Sequence, residues 1–180
     1  MTSLPESKPP TRSSYWVVPS QLLAGGYPGA PVEPEHSEKI HALIDAGVRT
    51  FVSLMEEHET NHRGEGFNPY LEIAQAYEPS VEFHRFPIKD LSLPTKPAMI
   101  ETLDAIDRFI ETRPKVYVHC WGGVGRTGTV IGCWLLRHGV VEAGGVLQRL
   151  KELRRHDVER GRRQSPETDA QCEFVVAWNE

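Results

Sequence analysis

Cysteine is scarce in this chain, with only Cys120, Cys133 and Cys172 among 180 residues. Three cannot all pair, and their spacing makes neither a disulfide framework nor a zinc pattern. A reducing compartment, the cytoplasm, is therefore expected. No apolar run approaches membrane-spanning length, and the N-terminus has no hydrophobic secretory core. An excess of positive charge is also missing. Lys and Arg number 20 against 25 Asp and Glu, a formal net charge of −5, which argues against nonspecific nucleic-acid binding. What remains is the composition of a soluble globular protein, expected as a monomer, long enough for one domain with a proper core.

The chain is organised around Val118-His119-Cys120-Trp121-Gly122-Gly123-Val124-Gly125-Arg126-Thr127-Gly128. A β-branched apolar run, Val116 to Val118, leads in and predicts a buried strand. Val130, Ile131, Trp134, Leu135 and Leu136 follow and predict a buried helix. Glycines between them let successive N–H groups turn into one hollow, and the helix adds its positive N-terminal end. Such a loop is shaped to hold an oxyanion. Cys120, beside a guanidinium and a helix N-terminus, is expected as a thiolate that attacks phosphorus. Arg126 offers a planar fork for two phosphoryl oxygens. The amides of Trp121, Gly122, Gly123, Val124, Gly125 and Arg126 would hold the rest. Thr127 is expected to donate its hydroxyl to the sulfur and so improve it as a leaving group. His119 is expected to order the loop rather than to act as acid or base.

The pattern H-C-x-x-G-x-G-R-T-G resembles the signature loop of cysteine-dependent protein tyrosine and dual-specificity phosphatases. The same letters contain Gly123-x-Gly125-x-x-Gly128, a dinucleotide fingerprint. That reading needs a second strand ending in an acid about 20 residues on. Val140-Val141 before Glu142-Ala143-Gly144-Gly145 is a poor strand, and the unit falls too late in the chain for a nucleotide sheet.

Met1 to Ser14 is rich in Pro, Ser and Thr and reads as a disordered arm over 1–14. Residues 15–180 are expected to form one phosphatase-like domain. Tyr15 to Val18 and Leu22 to Ala24 predict short strands, and P-x-x-L-x-A-G-G-Y-P resembles the opening of many dual-specificity phosphatases. Ser37 to Ala46 predicts a helix closed by Gly47, and Val48 to Leu54 a strand.

His58-Glu59-Thr60-Asn61-His62 matches the H-E-x-x-H zinc motif, which needs a stable helix. Here Arg63-Gly64-Glu65-Gly66 breaks any helix, and Glu65 stands where the extended motif has glycine. No metal is expected. The segment reads as a solvated loop, with the alternative that it borders the phosphate pocket, since it leaves the end of a strand.

A short helix near 69–77 and a strand over 81–86 precede Phe86-Pro87-Ile88-Lys89-Asp90-Leu91-Ser92-Leu93-Pro94. The leaving oxygen needs a proton from across the pocket. Asp90 is the only carboxylate in this loop, and its place resembles the mobile acid loop of the family. It would serve first as acid, then as base for water. Lys89 is expected in solvent.

Residues 97–112 predict an amphipathic helix through Ile100, Leu103, Ile106 and Phe109, and 142–155 another. Cys133 is expected in the core. Arg154-Arg155-His156 and Arg160-Gly161-Arg162-Arg163 form a basic patch, either a solvated face or a rim that steers a phosphorylated substrate. A last helix is expected from Ser165-Pro166-Glu167, with Pro166 at its first position. Gln164 to Gln171 with Phe174 resembles the late water-positioning segment of some family members. Glu167 stands where the tyrosine-specific branch has its water-directing glutamine. That departure leaves Gln171 in the supporting role, or Asp90 alone.

The expected fold is α/β: a central, mostly parallel sheet of four or five strands flanked by five or six helices. The resemblance implies hydrolysis of phosphotyrosine and phosphoserine or phosphothreonine on proteins through a cysteinyl-phosphate, with no cofactor. The alternatives are a non-protein phosphate ester (an inositol phosphate, sugar or nucleotide) and a phosphate-binding module without turnover. Trp121 to Val124 carry none of the lysines common in phosphoinositide phosphatases of this superfamily.

Overall fold

A computed structural model describes residues 8–180. Five strands form one sheet in the order β1-β2-β5-β3-β4. These are β1 (Ser14–Val18), β2 (Leu22–Gly25), β3 (Thr50–Ser53), β4 (Glu82–Arg85) and β5 (Val116–His119). Only β1 runs antiparallel, against β2; the pairs β2–β5, β5–β3 and β3–β4 are parallel. The central strands explain themselves. Thr50-Phe51-Val52-Ser53 and Val116-Tyr117-Val118-His119 are buried at every residue, as strands covered on both faces must be.

Among the described residues six α-helices cover the sheet: α1 (Glu35–Asp45), α2 (Leu71–Tyr77), α3 (Lys96–Thr112), α4 (Gly125–Arg137), α5 (Val146–Arg154) and α6 (Asp169–Val176). One core packs α1 and α2, through Ile40, Leu43 and Ala74, on Phe51 and Tyr117. The other packs α3 to α6, through Leu103, Ile131, Leu150 and Val175, on Val52 and Val118. Alternating residues of β3 and β5 thus serve opposite cores, giving three layers. The parallel strands β3 and β5 both point their C-terminal ends at the loop 120–124, where open α/β sheets bind ligands. Among the described residues, no helix is long and apolar enough to cross a membrane.

Three expectations shift. Part of the expected arm, residues 1–7, lies outside the described residues. Within the rest of it, Thr11, Ser13 and Ser14 are buried. Thr11 bonds Ser14 by both its amide and its hydroxyl, and the Arg12 carbonyl accepts from Val158 N at 2.8 Å. Hydroxyl pairing and a tertiary contact order a stretch that has no large apolar residue. The helix expected over 142–155 opens as a 3-10 turn, Ala143–Gly145, since two adjacent glycines are poor helix formers. The last helix begins at Asp169, not near Pro166. Thr168 caps it: its hydroxyl accepts from Gln171 N at 3.1 Å, and Gln171 Oε1 accepts from Thr168 N at 3.2 Å. This reciprocal capping box outcompetes the proline start, and Ser165 is spent elsewhere, donating to the Val124 carbonyl at 2.7 Å.

Candidate active site

The loop from Cys120 to Val124 joins β5 to α4, with Cys120 only 3% exposed at its base. The Gly123 amide donates to Cys120 Sγ at 3.2 Å. Gly123 has a φ of +68° and packs so tightly that a Cβ there would lie 2.4 Å from the Gly25 carbonyl carbon. Both its backbone angle and its contact demand glycine. The Trp121 carbonyl accepts from Tyr27 N at 2.8 Å, which ties the loop to the exit of β2.

His119 lies beneath the loop, wholly buried. Its Nδ1 is 3.1 Å from the Cys120 carbonyl and its Nε2 is 2.8 Å from the Tyr70 hydroxyl. A carbonyl can only accept, so Nδ1 carries the proton and Nε2 accepts from Tyr70. Burial drives the His119 pKa down to about 3. The ring is thus a neutral strut between the Tyr70 hydroxyl and the first carbonyl of the loop.

Arg126, in the first turn of α4, has a guanidinium 1% exposed. Burial acts against its charge, yet the Glu59 carboxylate, with Cys120 and Asp90 beyond it, holds its pKa above the ordinary arginine value. Glu59 grips it bidentately, Nη1 to Oε2 at 2.6 Å and Nη2 to Oε1 at 2.7 Å. Nη1 also donates to the Ile88 carbonyl at 3.1 Å, and Nη2 reaches Asp90 Oδ1 at 3.0 Å. Arg126 Nε–H has no hydrogen-bond partner among the described residues. Asp90, from a loop 36 residues earlier, is thus brought to Arg126, which follows Cys120 by six residues.

The other expected residues fall as follows. Thr127 donates to the Gly25 carbonyl at 3.3 Å, so its hydroxyl braces β2 against α4 rather than meeting the sulfur. Gln171 is fully buried and its amide is committed. Its Oε1 accepts from the amides of Glu167 and Thr168, while Nε2 donates to the Ser92 carbonyl at 3.2 Å. It pins the Asp90 loop instead of facing an attacking water. Gly122 and Gly125 lie in the loop and at the helix start. A Cβ on Gly125 would come within 3.2 Å of Glu167 Oε2, so the Glu167 carboxylate lies close to the start of α4.

Glu59, His62 and Tyr70 were not singled out as site residues in the sequence. No helix forms between β3 and α2, so His58 and His62 share no helix face. His62 instead lies over Trp121, ring centroids 4.5 Å apart, with Phe67 at 5.5 Å. Both loop readings hold: His58, Thr60 and His62 to Gly66 are exposed, while Glu59 reaches the pocket at Arg126. The available signal was the position of His58-Glu59-Thr60-Asn61-His62 after a central strand; nothing in it identified Glu59 as the partner of Arg126. Among the described residues no cluster of three or more His, Cys, Asp or Glu is placed to hold a metal ion.

The family model for the Swiss Army Knife DSP-PTPase phosphatase domain matches residues 11–175. Protein 067L of Invertebrate iridescent virus 3, named for a tyrosine phosphatase, is 30% identical over 128 residues, covering 69% of this chain and 45% of that protein. The chain spans less than half the length of the curated relatives it matches. Two solved structures share the fold. Kinase associated phosphatase, with its catalytic cysteine replaced by serine, has a TM-score of 0.68 at 20% identity, over 86% of this chain and 83% of that one. PTPMT1 in complex with PI(5)P has a TM-score of 0.62 at 20% identity, over 87% and 88%.

Two outcomes are expected. Glu59→Gln leaves a buried guanidinium without its counter-charge and lowers stability by about 3 kcal/mol, within the range for breaking a buried pair, read by urea unfolding; an unchanged midpoint would show that Arg126 does not depend on Glu59. Unfolded His119 takes up a proton near its ordinary 6.5, while folded His119 does so only near 3. Below pH 6.5 the unfolded state therefore binds more protons, and stability falls with pH by about 1.4 kcal/mol per unit across that window. A His119→Asn variant should show a pH slope shallower by that amount in parallel denaturation curves.

Proposed function

The chain belongs to the DSP-PTPase phosphatase family, and from that membership we propose that it hydrolyses phosphate monoesters on phosphoproteins through a cysteinyl-phosphate on Cys120. The observation that carries the reading is the convergence of Cys120, Arg126 and Asp90. A buried guanidinium keeps one N–H unpaired, and its Nη2 forms an ion pair with the acid, 3.0 Å away.

In the proposed reaction the phosphoryl oxygens take the amides of 121–126 and the Nε and Nη2 protons of Arg126. Nη2 donates to Glu59 at 2.7 Å and lies in ion-pair contact with Asp90 at 3.0 Å. A phosphoryl oxygen arriving at Nη2 would take the place of Asp90 there, which frees the carboxyl to meet the leaving oxygen. Cys120 Sγ attacks phosphorus in line, the bond to the leaving oxygen breaks, and protonated Asp90 gives that oxygen its proton. Water then attacks the phosphocysteine and passes a proton to the Asp90 carboxylate; the S–P bond breaks to release phosphate and the thiolate. Charge on the transferring group is met by the loop amides and Arg126. The three cysteines are all free thiols, which suits action as a monomer in the reducing cytoplasm. A non-protein ester is the second reading, favoured by the shared fold with PTPMT1 bound to PI(5)P; the uncharged Trp121 to Val124 favour protein substrates.

Wild-type protein in EDTA should turn over para-nitrophenyl phosphate, and Cys120→Ser should abolish this. Activity that survives in Cys120→Ser refutes the mechanism. Asp90→Asn should slow a substrate with a poor leaving group by about 100-fold or more and retain vanadate binding by calorimetry. Equal rates would move the acid to another residue.

A further inference from the structure

Where β1 meets the end of α5, four buried polar atoms have no hydrogen-bond partner among the described residues: Ser13 Oγ, Tyr15 Oη, Arg154 Nε and Asp157 Oδ2. Ser13 and Asp157 are 3% exposed, and Tyr15 and Arg154 are 0% exposed, so bulk solvent does not serve them. Protein interiors rarely leave even one such group unpaired. Four in one neighbourhood call for a common partner.

The chain's own contacts bring them together. The Arg12 carbonyl accepts from Val158 N at 2.8 Å, which draws the adjacent residues Ser13 and Asp157 into the same region. Arg154 Nη2 is 3.7 Å from Asp157 Oδ2, close enough for charge attraction and too far for a hydrogen bond. α5 packs against β1, and Tyr15 lies in the core on that side with Leu150 and Leu153. Burial raises the Tyr15 pKa; the Arg154 charge opposes the rise, and the charges of Cys120 and Asp157 add to it. The phenol therefore keeps its proton and lies within the field of both members of the ion pair.

The other polar atoms of that pair are committed. Arg154 Nη1 donates to the Arg163 carbonyl and Nη2 to the Arg160 carbonyl, both at 2.8 Å. Asp157 Oδ1 accepts from the amides of Glu159 at 3.1 Å and Arg160 at 2.9 Å. What is left is one donor, Arg154 Nε–H, one acceptor, Asp157 Oδ2, and two hydroxyls that serve in either sense. A water molecule offers two donors and two acceptors, and a buried one typically makes about three such bonds. The charges of Arg154 and Asp157 oppose each other, so the site favours a neutral molecule over an ion of either sign.

We propose that Ser13, Tyr15, Arg154 and Asp157 enclose a site for one or two ordered waters, which fasten β1 to the turn at 157–161. That turn flanks the signature loop: a Cβ on Gly122 would come within 3.7 Å of Arg160 Cδ. The water site thus supports from the interior a segment that borders the cradle. It stands whether or not Cys120 turns over phosphate. Arg154, read in the sequence with a solvated or steering patch, is an interior strut.

Two measurements on the full chain test this. A crystal structure that shows ordered solvent should place a water oxygen within hydrogen-bond distance of at least three of the four atoms. Direct bonds among the four side chains, a dry gap or a bound ion would overturn the proposal. In solution, removing an unpaired hydroxyl from a dry interior leaves stability unchanged or raises it, whereas removing a ligand of a shared water lowers it. Tyr15→Phe and Ser13→Ala should each lower the urea midpoint, and the double variant should lose less than the sum, because the first change already loosens the shared water. A midpoint unchanged or raised in Tyr15→Phe, or strict additivity, counts against the site. Hydrogen exchange gives the local readout. The amides of Glu159 and Arg160 should exchange about tenfold faster in Tyr15→Phe, the effect of one lost hydrogen bond, while those of β5 keep their wild-type rates. Equal acceleration throughout would assign the loss to general packing and defeat the inference.

Discussion

The site depends on one buried ion pair. Arg126 points its guanidinium into the protein, and Glu59 accepts it with both carboxylate oxygens. An unpaired guanidinium at that depth would cost several kcal/mol; paired, it becomes a fixed positive point onto which neighbouring loops converge. The loop after β3 supplies Glu59, the loop after β4 supplies the Ile88 carbonyl and Asp90, and the loop after β5 leads into Arg126 itself. Three parallel strands therefore end on one cation, and the sheet register sets which residues arrive there.

The layers below are arranged to keep that cation's surroundings still. Tyr70, Tyr117 and His119 pack under the loop as an aromatic floor. Each polar tip within it has a partner: Tyr117 donates to the Gly26 carbonyl at 2.6 Å, and Tyr70 to His119. Burial without orphaned groups is the condition for a rigid polar site. On the far side, Gln171 and the α6 cap hold the acid loop through the Ser92 carbonyl. The Cys120 loop and the Asp90 loop are thus braced from opposite layers of the fold.

Much of this was legible in the residues. Short-range patterns carried the strands, the helices and their order, because a buried strand needs β-branched runs and an amphipathic helix needs its period. Local signals also carried the loop at 120, where several glycines and an arginine crowd together for a reason no turn alone would require. What escaped was long-range or competitive. Glu59 reads as one acid among many until β3 and β5 lie side by side. Thr127 could have faced the sulfur or the end of β2, and only the packing of Gly25 against α4 decides. Pro166 and Thr168 both offered a helix start, and the side chain of Gln171 settled it for Thr168. Thr11, Ser13 and Ser14 are buried, and the backbone between them is tied to Val158, far along the chain, so composition alone gave the wrong answer there.

The close approach of Gly123 to Gly25 has a bearing on how the molecule assembles. The floor of the reactive loop is laid by a strand near the start of the polypeptide, while the loop itself is made much later during synthesis. Until β2 docks beside β5, the left-handed turn at Gly123 lacks the backbone of Gly25 and Gly26 that it packs against. A fragment beginning after β2 would hold every residue of the signature and still be without that support. The shape of the loop around Cys120 is therefore tied to completion of the sheet.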